Sequence, residues 1–129
     1  MKLIALATLL FAFGLSAKST VTLNEVEFEK QWRAIPTLDA VRAAVTPDGF
    51  HLGKSMERIT ASIQFTITSE GKAKDVTVLS VSPDKPGYKQ AFKNYYEALR
   101  FQPLVENPST SATVIDNTFF GGMKDYVKH

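Results

Sequence analysis

The ten residues from Ile59 to Thr68 alternate strictly between apolar and polar side chains, and no other stretch constrains the fold as strongly. Apolar residues stand at every odd position from Ile59 to Ile67, and Thr, Ser or Gln stands at every even position. A period of two places one row of side chains in a core and the other row in solvent. The stretch therefore predicts a half-buried strand.

A second strand is predicted directly after it, from Ala73 to Ser82. Ser69-Glu70-Gly71-Lys72 has the composition of a tight turn, in which Gly71 is free to adopt a positive φ. The apolar positions change face between Val78 and Leu79. A β-bulge at that point would explain the change, and burial of both faces of the strand would explain it equally well.

Helical spacing follows farther along the chain. Apolar and aromatic residues recur every three or four positions between residues 88 and 99, which predicts an amphipathic helix ended by Arg100-Phe101-Gln102-Pro103. Residues 111–120 are rich in Thr, Val, Ile and Phe and predict a third strand, which Gly121 and Gly122 terminate. The expected fold class is α+β, a three-stranded antiparallel sheet (strand-strand-helix-strand) with one packed helix. Because the helix returns the chain to a strand beside the first, the sheet order is 2-1-3, and strand 111–120 lies at an edge.

The part of the chain before this domain permits two interpretations. Val21 to Phe28 has the composition of a strand, whereas Glu25 to Trp32 fits a helix equally well. A short helix is predicted after Thr37, whose hydroxyl is a good N-cap. We expect residues 18–57 to form an N-terminal helical extension that packs on a domain of residues 58–122, and residues 123–129 to form a loosely held tail.

The first 17 residues have the layout of a secretory signal peptide. Lys2 is followed by uncharged, mainly apolar residues that end in the small residues Ser16 and Ala17. Fifteen residues of helix reach about 22 Å, which is less than the ~30 Å of a hydrocarbon core. We expect cleavage after Ala17 and export of the remaining chain. The alternatives are cleavage after Ser16 and an uncleaved membrane anchor.

Charge and reactive side chains argue against several classes of function. The chain has 15 Lys and Arg against 13 Asp and Glu, without the basic stripe that binds nucleic acid. It has no Cys, so disulfides and thiolate chemistry are excluded. Its imidazoles are His51, placed in a loop, and His129, the last residue. Because no nucleophile, metal-ligand or phosphate-binding motif is present, the sequence predicts a protein that is not an enzyme and has no cofactor or metal.

Two segments resemble motifs of the C-terminal domain of TonB. Ile63 to Lys72 is similar to the hairpin pattern V-x-F-x-I-x-x-D/E-G-K, and Leu99-Arg100-Phe101-Gln102-Pro103 is similar to a helix end written W-R-F-x-P. Leu99 stands where the family often has Trp. A full energy transducer of this family also has a Pro-rich spacer, which this sequence lacks. The resemblance therefore implies a free relative of the transducers in the periplasm of a Gram-negative bacterium. If the N-terminal segment is not cleaved, it implies anchoring in the inner membrane.

The resemblance further implies that the last strand of the sheet pairs with an extended peptide of a TonB-dependent outer-membrane receptor. Main-chain hydrogen bonds give such strand addition its affinity, so the expected partner-binding residues lie along the edge strand: Thr113, Ile115, Asn117 and Phe119. The competing hypothesis is a periplasmic scaffold or dimerising protein in which residues 18–57 already cover that edge.

Overall fold

The computed structural model describes residues 21–122. Their elements, in chain order, are β1 (Thr22–Leu23), α1 (Glu25–Gln31), β2 (Trp32–Ile35), α2 (Leu38–Ala43), a short 3₁₀ helix (Leu52–Lys54), β3 (Arg58–Ile67), β4 (Ala73–Ser82), α3 (Tyr88–Ala98), β5 (Arg100–Pro103) and β6 (Thr113–Gly121). The predicted signal peptide and the predicted C-terminal tail lie outside the described residues. No helix within residues 21–122 combines the length and the apolar character that crossing a membrane requires.

The strands form a mixed four-stranded sheet in the order β1-β6-β3-β4 and a separate two-stranded sheet of β2 and β5. β3 pairs antiparallel with β4 on one side and with β6 on the other, which is the predicted order 2-1-3. β1 adds a parallel pair to the outer side of β6, with Thr22 opposite Thr113 and Leu23 opposite Val114. The prediction of a three-stranded antiparallel sheet was therefore incomplete, because it lacked β1 and the two-stranded sheet.

β3 lies between two other strands and supplies much of the core. Ile59, Ile63 and Ile67 are fully buried, and Phe65 is 1 % exposed. Their neighbours in sequence, the Thr, Ser and Gln residues, are exposed or only partly buried. This is the burial pattern that the alternation predicts.

A β-bulge interrupts the pairing of β3 with β4. Ser62 lies opposite Ser80, but the next residue of β3, Ile63, lies opposite Val78. Leu79 therefore has no opposite residue on β3. The extra residue shifts the side-chain alternation of β4 by one position. The bulge therefore lies where the apolar positions change face.

α3 packs on the buried face of the sheet. Gly87 precedes the helix with a φ of 86°, a left-handed conformation that suits glycine. The helix buries four side chains at helical spacing: Tyr88, Ala91, Phe92 and Tyr96. Residues 100–103 end the helix as predicted and also form β5, which pairs antiparallel with β2.

The tight turn after β3 packs against β5. The Phe101 N–H donates to the Gly71 carbonyl oxygen at 2.8 Å, and Lys72 forms an isolated bridge with Arg100. Gly71 has a φ of 78°, and a Cβ there would lie 2.5 Å from the Phe101 carbonyl oxygen. The two segments that resemble TonB motifs are thus in direct contact, and only glycine fits at their point of contact.

Residues 21–57 combine both interpretations of the N-terminal segment. The strand β1 comes first, and the helix α1 follows after Asn24, whose side chain caps it. Phe28 and Trp32 are each 4 % exposed and belong to the same core as β3. The helix predicted after Thr37 is α2, and the Thr37 hydroxyl caps it.

Candidate functional site at the outer edge of β6

Among residues 21–122, the outer edge of β6 is paired only at its beginning. The Thr113 N–H donates to the Val21 carbonyl oxygen at 2.9 Å, and the register with β1 stops at Val114. Beyond Val114, no strand within residues 21–122 pairs with the outer side of β6. Backbone groups of an antiparallel strand point alternately to its two sides. Every second residue after Thr113 therefore directs its N–H and C=O outward.

The predicted binding residues share this outward orientation but differ in accessibility. Thr113 is already paired with the N-terminal segment. Ile115 is half-buried beside α1, whereas Asn117 is exposed and Phe119 is 47 % exposed. Partner binding by these residues stays a prediction, and the unpaired part of the edge begins after Val114.

A shallow cleft of about 340 Å³ lies where Phe119 meets β3 and β4. Thr60, Ser62 and Ser80 line it with hydroxyl groups. The guanidinium carbon of Arg58 lies 4.3 Å from the centroid of the Phe119 ring, which is a cation–π geometry. The sequence interpretation missed Arg58, because it precedes the alternating stretch and meets Phe119 only through the pairing of β3 with β6. The cleft offers polar groups beside an exposed aromatic ring.

A second cleft of about 340 Å³ lies between α1 and β6. Three carboxylates line it, those of Glu25, Glu29 and Asp116, together with the guanidinium of Arg33 and the indole of Trp32. No ion pair within residues 21–122 neutralises Glu25 or Glu29. The Trp32 Nε1–H is buried and has no hydrogen-bond partner in the described part of the chain. We call this space the acidic cleft.

Asp116 is a carboxylate on the buried face of β6. Its Oδ2 accepts from the Tyr96 hydroxyl at 2.8 Å. Burial raises the pKa of the Asp116 carboxyl above its ordinary value, and the negative charges of Glu25 and Glu29 add to the rise, while the hydrogen bond from Tyr96 opposes it. Burial and the charge of Asp116 also raise the pKa of the Tyr96 phenol above its usual range. The tyrosine hydroxyl therefore stays a donor.

Replacing Asp116 with asparagine is expected to stabilise the protein at neutral pH. Because the pKa of this carboxyl is higher in the folded state than in the unfolded state, its contribution to stability is greatest when it is protonated and is lost as the pH rises through the folded pKa. Asparagine can accept from Tyr96 and carries no charge at any pH. We expect a melting temperature higher by about 3 °C at about pH 7 and no gain at about pH 3, measured by circular dichroism.

The control is Asp84, an exposed carboxylate that lies 3.7 Å from the Lys89 Nζ. Asp84→Asn is expected to leave the pH dependence of the melting temperature unchanged, because exposed ion pairs contribute little. An Asp116→Asn protein less stable than the wild type at neutral pH would contradict the charge repulsion assigned to this site.

The opposite edge of the sheet, β4, is unpaired on its outer side within residues 21–122 but is irregular. Besides the bulge at Leu79, its register with β3 shifts between Gln64 and Thr66. Asp75 has a positive φ of 54° and, with Lys74, places charged residues near one end of the strand. Such bulges and charges make a strand a poor docking edge, so β6 is the better of the two.

His51 is engaged with the backbone of its own loop. Its Nδ1 accepts from the Gly53 N–H at 3.0 Å, and its Nε2 lies 2.6 Å from the Val41 carbonyl oxygen. Nε2 therefore carries the proton. In the part of the chain that the structure describes, no group of three or more His, Cys, Asp or Glu side chains could hold a metal ion. The predictions that the protein is not an enzyme and binds no metal stay predictions.

Among solved structures, the chain is similar to the solution NMR structure of the Pseudomonas aeruginosa TonB CTD. The sequence identity is 19 %, the TM-score is 0.40, and the alignment covers 80 % of this chain and 94 % of that chain. No protein-family model matches the chain, and no curated protein matches it.

Proposed function

We propose that this chain is a TonB-like binding module that adds an extended peptide as a strand to β6 beyond Val114. The observation that carries the proposal is the outer edge of β6, whose outward backbone groups continue past the end of β1. The peptide belongs to an outer-membrane transporter. The protein acts in the periplasm, is not an enzyme, needs no cofactor and binds no nucleic acid.

The TonB-like motifs support this proposal because they are structurally joined to the edge. The turn at Gly71 and the helix end at Phe101 share a backbone hydrogen bond. The turn follows β3, which pairs with the whole of β6, from Thr66 opposite Thr113 to Arg58 opposite Gly121. The part of the chain that carries the resemblance therefore also holds the edge in place.

A peptide added along residues 117–119 would meet two different environments. Its backbone would bond to the outward groups of Asn117 and Phe119, and its side chains would alternate between the two faces of the sheet. On one face they would meet the exposed Phe119 ring and the hydroxyl groups near it. On the other face they would meet α1. The edge can thus select a peptide by side chain as well as bind its backbone.

Replacing Asn117 with proline tests the proposal. Proline removes the outward N–H and places its ring in the path of an added strand, while the inward hydrogen bonds of β6 to β3 come from the neighbouring residues. The probes are decapeptides selected on the wild-type protein from a displayed random library. We expect their affinity to fall about tenfold or more, measured by fluorescence anisotropy.

The matched control is Asn117→Ala, which removes the side chain and keeps the N–H. We expect it to bind the selected peptides nearly as well as the wild type does. If circular dichroism shows that Asn117→Pro is folded and its peptide affinities equal those of the wild type, strand addition at β6 is excluded.

β1 favours a second candidate, a scaffold or dimerising protein whose edge is covered by its own N-terminal segment. The pair of Thr22–Leu23 with Thr113–Val114 is the start of such a cover. On this alternative the protein acts through another surface. The same experiment separates the two functions, because partner binding through another surface would survive Asn117→Pro.

A further inference from the structure

The acidic cleft lies beside the path of an added strand. Asp116 and Asn117 of β6 are among its lining residues, and α1 forms its other side. A peptide that pairs with β6 beyond Val114 therefore passes the cleft, and one of its side chains points toward α1. The inference below rests on the strand addition proposed above.

The charges in the cleft do not balance within residues 21–122. Three carboxylates face one guanidinium, that of Arg33, and neither Glu25 nor Glu29 forms an ion pair with another residue of this range. Both glutamates lie close enough to Asp116 for their charges to act on its carboxyl. A cation placed between like charges relieves their repulsion, and guanidinium and ammonium groups also donate hydrogen bonds to carboxylates. The cleft is therefore complementary to a basic side chain.

Trp32 provides an independent indication that the cleft receives a ligand. Its side chain lines the cleft, the residue is 4 % exposed, and its Nε1–H has no hydrogen-bond partner among the described residues. A buried donor without an acceptor is unfavourable. The peptide backbone carries an acceptor at every residue. A bound peptide can therefore supply both a cation and an acceptor.

We propose that the peptide added to β6 inserts a lysine or arginine side chain into the acidic cleft, where it pairs with Glu25, Glu29 and Asp116. On binding, the Trp32 indole turns toward the peptide, and a carbonyl oxygen of the same peptide accepts from its Nε1–H. The partner is thus an extended segment with a basic residue at one fixed position relative to Asn117.

The test uses the full chain and the displayed library of random decapeptides. We expect the selected peptides to share a Lys or Arg at one position. A synthetic peptide with that residue changed to Gln is expected to bind the wild-type protein about fivefold more weakly. Glu29→Gln is expected to weaken binding of the basic peptide by a similar factor and to leave binding of the Gln peptide unchanged.

The control is Glu27→Gln, on the same helix but outside the cleft, where Glu27 lies 3.8 Å from the Lys30 Nζ. It should bind the basic peptide as the wild type does. Peptides that lose affinity in Asn117→Pro but show no basic preference, or are unaffected by Glu29→Gln, would overturn this inference and leave strand addition standing. Peptides that bind Asn117→Pro and the wild type equally well, or the absence of any binding peptide, would overturn strand addition and the inference with it.

Discussion

A protein carrying Phe65→Ala is expected to lose about 3–5 kcal/mol of its free energy of unfolding. Phe65 is 1 % exposed, and its ring centroid lies 5.8 Å from that of Phe28, 5.3 Å from that of Tyr96 and 5.4 Å from that of Phe101. These rings belong to α1, α3 and β5, so removing the Phe65 ring opens a cavity that borders three elements. Urea unfolding followed by circular dichroism measures the loss.

Phe119→Ala is the matched control, because it removes the same ring from the same sheet at a position that is 47 % exposed. We expect it to cost less than about 1 kcal/mol, including the contact with Arg58. Phe65→Leu keeps most of the apolar volume and gives a folded sample if the alanine variant does not fold. A loss below about 1 kcal/mol for Phe65→Ala would contradict the central role of this ring.

Replacing Gly71 with alanine is expected to lower the free energy of unfolding by about 2–4 kcal/mol. A side chain at a φ of 78° is strained, and its Cβ would lie 2.5 Å from the Phe101 carbonyl oxygen, which belongs to the backbone and has little room to move. The substitution should therefore separate the turn from β5. Urea unfolding measures the loss, and hydrogen exchange at the Phe101 amide reports whether its bond to Gly71 is broken.

Gly49 allows the two causes to be separated. Its φ is 96°, and a Cβ there would meet nothing within 4 Å. Gly49→Ala therefore carries the backbone strain without the close contact, and we expect it to cost about 1–2 kcal/mol. Equal losses at Gly49 and Gly71 would show that the contact with Phe101 contributes nothing.

The sequence predicted the elements whose own pattern is long enough to reveal a buried face. β3 and α3 each repeat their period several times, so their positions and types agreed with the structure to within one residue at each end. β1 is two residues long, which is too short to show any period, and it is stabilised by a partner at the other end of the described chain. β5 is equally invisible locally, because its strand conformation depends on pairing with β2.

The candidate site was predictable only in part, because it too depends on contacts between distant parts of the chain. The predicted sheet order indicated that β6 lies at an edge. How much of that edge is paired with β1 depends on where the N-terminal segment packs, which the sequence pattern does not show. Asp116 did carry a local signal, since it shares a strand face with the buried Val114. Its partner Tyr96 and the glutamates of α1 come from distant parts of the chain. The acidic cleft therefore became visible only when these elements were brought together.

The interruptions in β4 have a consequence for the behaviour of the protein at high concentration. Its longest uninterrupted run in register with β3 is the three residues Ser80–Ser82, opposite Thr60–Ser62. A straight ten-residue strand rich in valine, open to solvent, would be a template for backbone pairing between identical copies and for growth into fibrils. A regular run of three residues is too short for such a template. Beyond it, the bulge changes the spacing of the backbone N–H and C=O groups along β4, so a straight strand from a second copy could not pair with all of them. We therefore expect the irregular edge to hinder growth of the sheet from copy to copy.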